Sequence, residues 1–388
     1  MQVLLVTPSY SPIVGGSEVL THVISRILNE RGIHCDILTS NMNEKWNPLW
    51  REEIRKDGKA RVFREPALNP FPRLPNPIFS ILRIKIIPQI LFLRRIKKYD
   101  IVHFIGEADL GFPLFSLLIK KPKLLQCVAI YRKGGVYKYY TSDRPSFGKI
   151  FKRFFPKIAD KFVISSEEEK NLLKDLGISN SSIAVLPIAV DLDVFKPAPE
   201  KKTENTLLFA GRIYPIKGLH ILLEALTNVK SPIHLLVAGS AWDSEYMKKI
   251  EEMSNEINKA GIHRITFLGE INQSELVTCY QRASLVVCPF LYETFSNVVR
   301  ESLACGTPVV STGTHLVDTC PDGISLSRCN PKDLASAINN LLDKPELIEK
   351  AGRDGRKTIE RHFSWEAVVK DLVALYKEAA NSHAKINT

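Results

Sequence analysis

The chain has 388 residues, of which 45% are hydrophobic, 9% aromatic and 24% charged. This composition is typical of a soluble globular protein with two or three domains, and no low-complexity tract or internal repeat interrupts it. The N-terminus lacks a basic segment, and no run of about 20 uncharged apolar residues occurs, so we predict neither a signal peptide nor a membrane-spanning helix. The seven cysteines form no CxxC pair, which favours a reduced cytoplasmic protein over a disulfide framework or a metal site.

The positive charge is concentrated in the first half of the chain. Residues 1–190 contain 30 Lys and Arg against 17 Asp and Glu, whereas residues 191–388 contain 23 against 25. The net charges are therefore +13 and −2. This asymmetry indicates that the first half meets something anionic.

Strand and helix patterns alternate along the first half. A helix is predicted over 17–31, after the pair Gly15-Gly16. The predicted strands cover 3–6, 35–39, 101–104, 124–128, 162–165 and 183–186. Such alternation indicates βαβ units and a mostly parallel sheet. The Pro-rich segment 186–200 and the polar residues 201–205 break the pattern, so we place a domain boundary after residue 190.

The same alternation then restarts. The predicted strands cover 207–210, 233–238, 265–268, 285–289 and 309–311, and the predicted helices 219–229, 243–260, 274–282 and 297–304. Further helices end the chain, and the amphipathic segment 365–380 is expected to pack back across the first domain. The fold class is therefore α/β, with two Rossmann-like, doubly wound parallel-sheet domains. Ligands of such sheets bind at the carboxyl ends of the strands.

The strongest local signal is the stretch from Glu293 to Glu301. Ser296 suits the N-cap of the predicted helix 297–304, and Gly306 suits the position just past its end. The amides at such a helix start form an anion site; they belong to Phe295, Ser296, Asn297 and Val298. Every helix has such an end, however, so other groups must converge there.

Glu301 is placed by spacing on the packed face of this helix, where a carboxylate needs a hydrogen-bonding partner. A ribose diol would supply one, and a structural ion pair or a position at the boundary of the packed face is the alternative.

A second candidate is the loop 211–218, which follows a predicted strand. Gly211 allows close backbone approach, while Arg212 and Lys217 together suit a diphosphate leaving group. A solvated loop with two ordinary surface cations is the alternative. The pair Gly15-Gly16 is a weaker phosphate signal, and a tight turn explains it equally.

With these motifs, the chain resembles the family-4 retaining glycosyltransferases of the GT-B fold. The resemblance is strong in residues 205–312 and looser before them. The shared motifs are Gly211-Arg212, Lys217-Gly218, Phe267-Leu-Gly269, the spacing of Glu293 and Glu301, the run 301–310, Phe363-Ser-Trp365, the early Gly-Gly pair, 100–103, 163–165 and 186–191 with Phe195.

The resemblance implies a retaining transfer of a sugar from a nucleoside-diphosphate sugar, UDP before GDP, in a central cleft between domains 1–190 and 191–363. The last residues, 364–388, would form the helix that crosses back. Arg212 and Lys217 would bind the diphosphate and stabilise it as the leaving group, so no metal ion or other cofactor is expected. Together with Glu293, which would line the transferred sugar, they would be catalytic residues. The other donor-binding residues would be Gly16, Gly211, Ile271, Glu293, Phe295, Ser296, Asn297, Val298 and Glu301.

Three features depart from the family pattern. Thr294 and Ser296 stand where many members have glycine, and Pro187-Ile-Ala replaces the usual Pro-Asn-Gly. Residues 126–130 lack the histidine that many relatives place near the transferred sugar. His103 is the nearest substitute as a catalytic residue, and a core histidine is the alternative.

The acceptor is the least defined partner. Segments 77–99 and 147–158 interleave basic and large apolar residues, which suits an anionic membrane surface and a lipid-linked acceptor. An amphipathic core helix with a cationic outer face fits equally well, and a soluble glycan acceptor stays open. The chain would then be cytoplasmic, with a peripheral membrane location as the further hypothesis. No nucleic-acid module is recognised, so a nucleic-acid partner is not expected. The rival from another class is a catalytically impaired protein that only binds sugar nucleotides or glycans.

Overall fold

The computed structural model describes residues 1–7, 10–11, 16–41, 53–65, 95–106, 116, 118–126, 132–133, 136–137, 155–175, 177–198, 203, 205–241, 243–291, 293, 296–313 and 322–386. Residues 77–94 and 147–154, the larger part of the two segments predicted to face a membrane, lie outside this part. In the described residues, no helix is long and apolar enough to cross a bilayer.

The chain divides into two units. The first contains residues Met1–Ile188 and Val369–Thr388, and the second contains residues Ala189–Val368.

An eight-stranded sheet forms the first unit. Its strands pair in the order β10-β9-β6-β5-β1-β2-β4-β3, and every pairing is parallel except that of β3 with β4. The strands are β1 Gln2–Thr7, β2 His34–Ser40, β3 Glu53–Asp57, β4 Ala60–Glu65, β5 Ile101–Ile105, β6 Lys123–Gln126, β9 Lys161–Ile164 and β10 Ile183–Val185, with a separate ribbon of β7 Arg132–Lys133 and β8 Val136–Tyr137.

Helices α1 Gly16–Glu30 and α2 Glu167–Asp175 connect strands of this sheet, with 3-10 turns at Phe155–Lys157 and Asn180–Ser182. All six strands predicted in this half are confirmed, although residues 127–128 lie outside the described part. The hairpin of β3 and β4 is an addition. Its outer strand, Glu53–Asp57, is polar and largely exposed, so its sequence lacks the apolar signal of a strand.

The second unit repeats the design with a six-stranded sheet. Its order is β13-β12-β11-β14-β15-β16, and all pairings are parallel. The strands are β11 Thr206–Ala210, β12 His234–Ala238, β13 Arg264–Gly269, β14 Leu285–Cys288, β15 Val309–Ser311 and β16 Ile324–Leu326. The helices are α3 Leu219–Leu226, α4 Ser244–Ala260, α5 Gln273–Arg282, α6 Asn297–Ala304, α7 Pro331–Leu342 and α8 Pro345–His362, with a 3-10 turn at Pro215–Lys217.

Buried apolar clusters cover both faces of this sheet. One cluster joins β11, β12 and β14 to α3, α4 and α7, and the other joins the same sheet to α5, α6 and the end of α8. Strands buried on both faces read as continuous apolar runs, which is why the sequence predicts β11 to β15. It does not predict β16, a three-residue edge strand with no fully buried side chain. The predicted α/β class with two parallel sheets is confirmed.

The last helix, α9 Trp365–Ile386, starts in the second unit and continues in the first. Its apolar face is buried through Val369, Leu372 and Tyr376. The hydroxyl of Tyr376 lies 2.7 Å from Nδ1 of His103 on β5, within the first unit. This position fits the expected return of the final helix.

Candidate functional site

The loop after β11 is fixed by the neighbouring strand end. The amide of Gly211 donates to the carbonyl of Ala238, at 2.9 Å, and its φ of 132° is one that glycine adopts without strain. Gly239 lies so close that a Cβ there would come within 1.9 Å of the Gly211 oxygen. The backbone next to Arg212 therefore packs directly against the end of β12.

The far end of the same loop is seated on the residues after β14. A Cβ at Gly218 would lie 1.8 Å from the carbonyl oxygen of Pro289, and Gly218 has a φ of 74°. The Leu291 amide donates to the Ile216 carbonyl at 3.0 Å. Because β11 and β14 are adjacent in the sheet, these contacts hold Lys217 beside the stretch that contains Glu293.

Lys217 and Glu293 form an ion pair, with Nζ donating to Oε2. The two side chains are only 22% and 15% exposed. The ammonium also lies 5.0 Å from the ring centroid of buried Phe290, a cation–π arrangement. The sequence predicted both charged residues as site residues, and the structure brings them into contact. Arg212 lies on the same loop and is exposed.

Helix α6 begins and ends as predicted. The hydroxyl of Ser296 accepts from the Val299 amide at 3.4 Å, and Gly306 follows the helix with a φ of 71°. Asn297 accepts a hydrogen bond at 3.2 Å from the guanidinium of buried Arg300. The amides of Asn297 and Val298 lie in the first turn, where no intrahelical acceptor is available. Phe295 lies outside the described residues.

Glu301, one turn further along α6, is partly buried and has a tyrosine partner. The hydroxyl of Tyr280 on α5 donates to its Oε2 at 2.9 Å. Burial raises the pKa of the Glu301 carboxyl, and the Tyr280 hydrogen bond and the Arg300 charge oppose that rise. The hydrogen-bonding partner of this carboxylate is thus a neutral hydroxyl, and its role as the ribose contact stays a prediction.

Ile271 follows β13 and is partly buried against the apolar cluster that also contains Val298. It thus lies at the same carboxyl edge of the six-stranded sheet as Lys217 and Glu293. Two residues that sequence reasoning missed are Tyr280 and Phe290. Both read as ordinary core aromatics, and only their polar contacts distinguish them.

The other two predicted residues lie in the first unit. Gly16 begins α1, so a helix does follow the early glycine pair, and its proposed contact with phosphate stays a prediction. His103 is fully buried in β5, and burial lowers its pKa to about 3. This placement favours the core role for His103 over the catalytic one, because a substrate has no access to a fully buried imidazole.

Comparison with known proteins matches nearly the whole chain. Residues 14–194 match the family Glycosyltransferase Family 4, and residues 192–358 match the family Glycosyl transferases group 1. The chain belongs to the family-4 glycosyltransferases.

Two curated relatives align over almost their full lengths. The MMP alpha-(1->4)-mannosyltransferase of Mycolicibacterium hassiacum is 25% identical over 94% of this chain and 95% of its own. The D-inositol 3-phosphate glycosyltransferase of Corynebacterium jeikeium is 27% identical over 97% of each chain. A second D-inositol 3-phosphate glycosyltransferase, from Geodermatophilus obscurus, is 31% identical over 58% of this chain and 54% of its own.

Solved structures share the fold. Sucrose-phosphate synthase from Thermosynechococcus elongatus has a TM-score of 0.74 and 20% identity, covering 98% of this chain and all of its own. Anabaena HepE, solved with UDP and glucose, has a TM-score of 0.72 and 15% identity, covering 97% of this chain and all of its own. The fold is thus GT-B, and the family-4 chain is a glycosyltransferase that uses a nucleotide-sugar donor.

Proposed function

We propose that this family-4 glycosyltransferase transfers a hexose from a UDP-sugar to an acceptor hydroxyl with retention of configuration. The observation that carries the proposal is the meeting of Lys217 and Glu293 at the carboxyl edge of the six-stranded sheet, next to the start of α6. A cation and a helix N-terminus there suit the diphosphate of a nucleotide-sugar, on which negative charge develops in the reaction, and a carboxylate suits the sugar hydroxyls.

The diphosphate would be held by side chains and amides that approach from two loops. Arg212 and Lys217 supply the positive charge, and the amides of Asn297 and Val298 supply aligned donors. In the reaction the bond between the anomeric carbon and the diphosphate oxygen breaks, so negative charge grows on the leaving diphosphate. These groups stabilise that charge, and the scheme needs no metal ion. The acceptor oxygen forms the new bond to the anomeric carbon, and its proton passes to the leaving diphosphate.

The sugar and the nucleoside would lie on either side of the diphosphate. Glu293 would accept hydrogen bonds from the transferred sugar, and Glu301 would accept them from the ribose. Ile271 would pack near the base. Phe295 and Ser296 would complete the wall of the sugar pocket, where many relatives have a smaller residue at the position of Ser296.

The choice of UDP and a hexose draws on the relatives. HepE is solved with UDP and with UDP-glucose, and the M. hassiacum relative is a mannosyltransferase. A polar acceptor hydroxyl fits both the mannosyltransferase and the inositol-phosphate relatives.

The test is incubation of the purified protein with a panel of UDP- and GDP-sugars, followed by measurement of free nucleoside diphosphate. We expect slow hydrolytic release from one UDP-hexose, and no comparable release by Lys217→Ala. Binding without release from any donor would instead favour the rival, a protein that binds sugar nucleotides without catalysis.

A further inference from the structure

Tyr280 occupies a fixed position next to Glu301, the proposed ribose contact. Its side chain is fully buried, and its ring centroid lies 6.2 Å from that of Phe195. Its carbonyl accepts from the Thr307 hydroxyl at 2.6 Å, so the backbone of α5 is tied to the segment that follows α6. The phenol therefore points from α5 to the Glu301 carboxylate on α6, while packing and the backbone contact fix the ring in place.

The hydroxyl of Tyr280 acts as a donor to Glu301. Burial and the neighbouring Glu301 charge raise the pKa of Tyr280 well above its usual value, so the phenol keeps its proton in the working range of pH. Its proton is directed at Oε2 of Glu301, 2.9 Å away. Among the described residues this is the hydrogen bond that the structure gives to the Glu301 side chain.

This geometry decides which atoms of Glu301 remain for a ligand. A carboxylate has two oxygens and about four acceptor positions, and Tyr280 takes one on Oε2. The hydrogen bond also stabilises the ionised form of Glu301 relative to the protonated form. The ionised form accepts from two vicinal hydroxyls, whereas the protonated form has one oxygen occupied by its own proton. A diol that donates twice therefore meets a carboxylate that this hydrogen bond already orients.

We propose that Tyr280 is a positioning residue for nucleotide recognition: its hydroxyl orients Glu301 so that the carboxylate accepts from the vicinal 2′ and 3′ hydroxyls of the donor ribose. The inference rests on the proposed role of Glu301 as the ribose contact. It assigns a role in specificity to a tyrosine that touches no substrate.

The test compares Tyr280→Phe with the native protein, using UDP and 2′,3′-dideoxy-UDP in calorimetric titrations. We expect Tyr280→Phe to weaken UDP binding by up to about tenfold, because a carboxylate that the phenol no longer holds must be ordered when the ribose binds. Binding of the dideoxy nucleotide should stay within about twofold, so the preference for the intact ribose shrinks by nearly the same factor.

The pH dependence gives a readout that mere packing would not move. Without the Tyr280 hydrogen bond, the pKa of Glu301 rises further, because that bond lowers it. The acid limb of UDP binding should therefore shift to higher pH in Tyr280→Phe. Replacing Tyr280 with 3-fluorotyrosine keeps the ring and the hydroxyl but makes the phenol more acidic and thus a stronger donor to Glu301. The acid limb of UDP binding should then shift to lower pH, and this test is available even if the phenylalanine variant folds poorly.

The matched control is Tyr99→Phe. Tyr99 is a buried tyrosine in the first unit whose hydroxyl donates to the buried carboxylate of Asp36 at 2.6 Å. This variant should bind both nucleotides as the native protein does.

Equal weakening of UDP and dideoxy-UDP by Tyr280→Phe, or an unshifted acid limb, would overturn the inference. Absence of UDP binding by the native protein would instead count against the proposed nucleotide, so the two failures are distinguishable.

Discussion

The ion pair of Lys217 and Glu293 leads to a prediction in which binding and turnover change in opposite directions. In the ligand-free protein the carboxylate neutralises the same ammonium that the donor diphosphate is proposed to bind. UDP must therefore compete with Glu293 for Lys217. Glu293→Gln removes the competitor and its repulsion of phosphate, while leaving Lys217 and its contact with Phe290 in place.

The size of the effect follows from the burial of the pair. Side chains that are 22% and 15% exposed are only partly screened by solvent. Two charges about 4 Å apart attract by roughly 4 kcal/mol at an effective dielectric of about 20, and desolvation offsets much of this. A net of about 1.4 kcal/mol, or tenfold in affinity, is the expected gain in UDP binding. Sugar transfer should fall at least about hundredfold, because Glu293 is also proposed to contact the sugar.

Calorimetry with UDP and a nucleotide-release assay measure the two effects on one variant. The tenfold gain should vanish in Lys217→Ala/Glu293→Gln, since the ammonium that mediates it is gone. Glu378→Gln is the control, because Glu378 pairs with Lys161 at 2.6 Å in the first unit. Weaker UDP binding by Glu293→Gln would refute the reasoning and would mean that the carboxylate holds Lys217 in place for the phosphate.

Three further outcomes follow from the same site. Burial raises the pKa of Glu301 in the folded state. The protonated carboxyl therefore stabilises the fold below the pKa of the unfolded state, and this stabilisation is lost as pH rises through the pKa of the folded state. Glu301→Gln should therefore raise the melting temperature of the ligand-free protein at pH 7 by about 2–4 °C in scanning calorimetry. The same variant should bind UDP about ten- to hundredfold more weakly. A lower melting temperature would contradict this. In the native protein, UDP affinity should fall as pH drops through the raised pKa of Glu301, and affinity that stays flat down to pH 4 would count against an ionised ribose contact. Gly218→Ala should lose UDP binding and at least about 3 kcal/mol of stability in denaturant titrations, because its Cβ meets the Pro289 carbonyl. The control is Gly261→Ala, where φ is also positive, at 75°, but no atom lies within 4 Å of the added Cβ. This variant should lose only about 1–2 kcal/mol of stability and keep UDP binding.

The fold was largely predictable because its information is local. Apolar runs located six strands of the first sheet and five of the second, and the N-cap Ser296 with Gly306 gave the limits of α6 to the residue. The hairpin of β3 and β4 was missed because an exposed edge strand carries polar residues. Its pairing depends on the register with β2, which is a tertiary property.

The sequence predicted which residues belong to the candidate site but not which of them contact each other. Lys217 and Glu293 are separated by 76 positions in the chain, and their pairing depends on β11 and β14 being neighbours in the sheet. Tyr280 illustrates the same limit, because an amphipathic helix identifies a buried ring without revealing where its hydroxyl points. His103 shows the converse. It was predicted only as a substitute for the histidine that residues 126–130 lack, and the structure buries it against Tyr376.

A crystal structure of the protein with UDP bound tests the proposed donor site most directly. We expect diphosphate oxygens within about 3.2 Å of Lys217 Nζ and of the first amides of α6, with the ribose hydroxyls on Glu301 and the pair of Lys217 and Glu293 opened. UDP bound elsewhere on the chain, with that pair intact, would contradict the assignment.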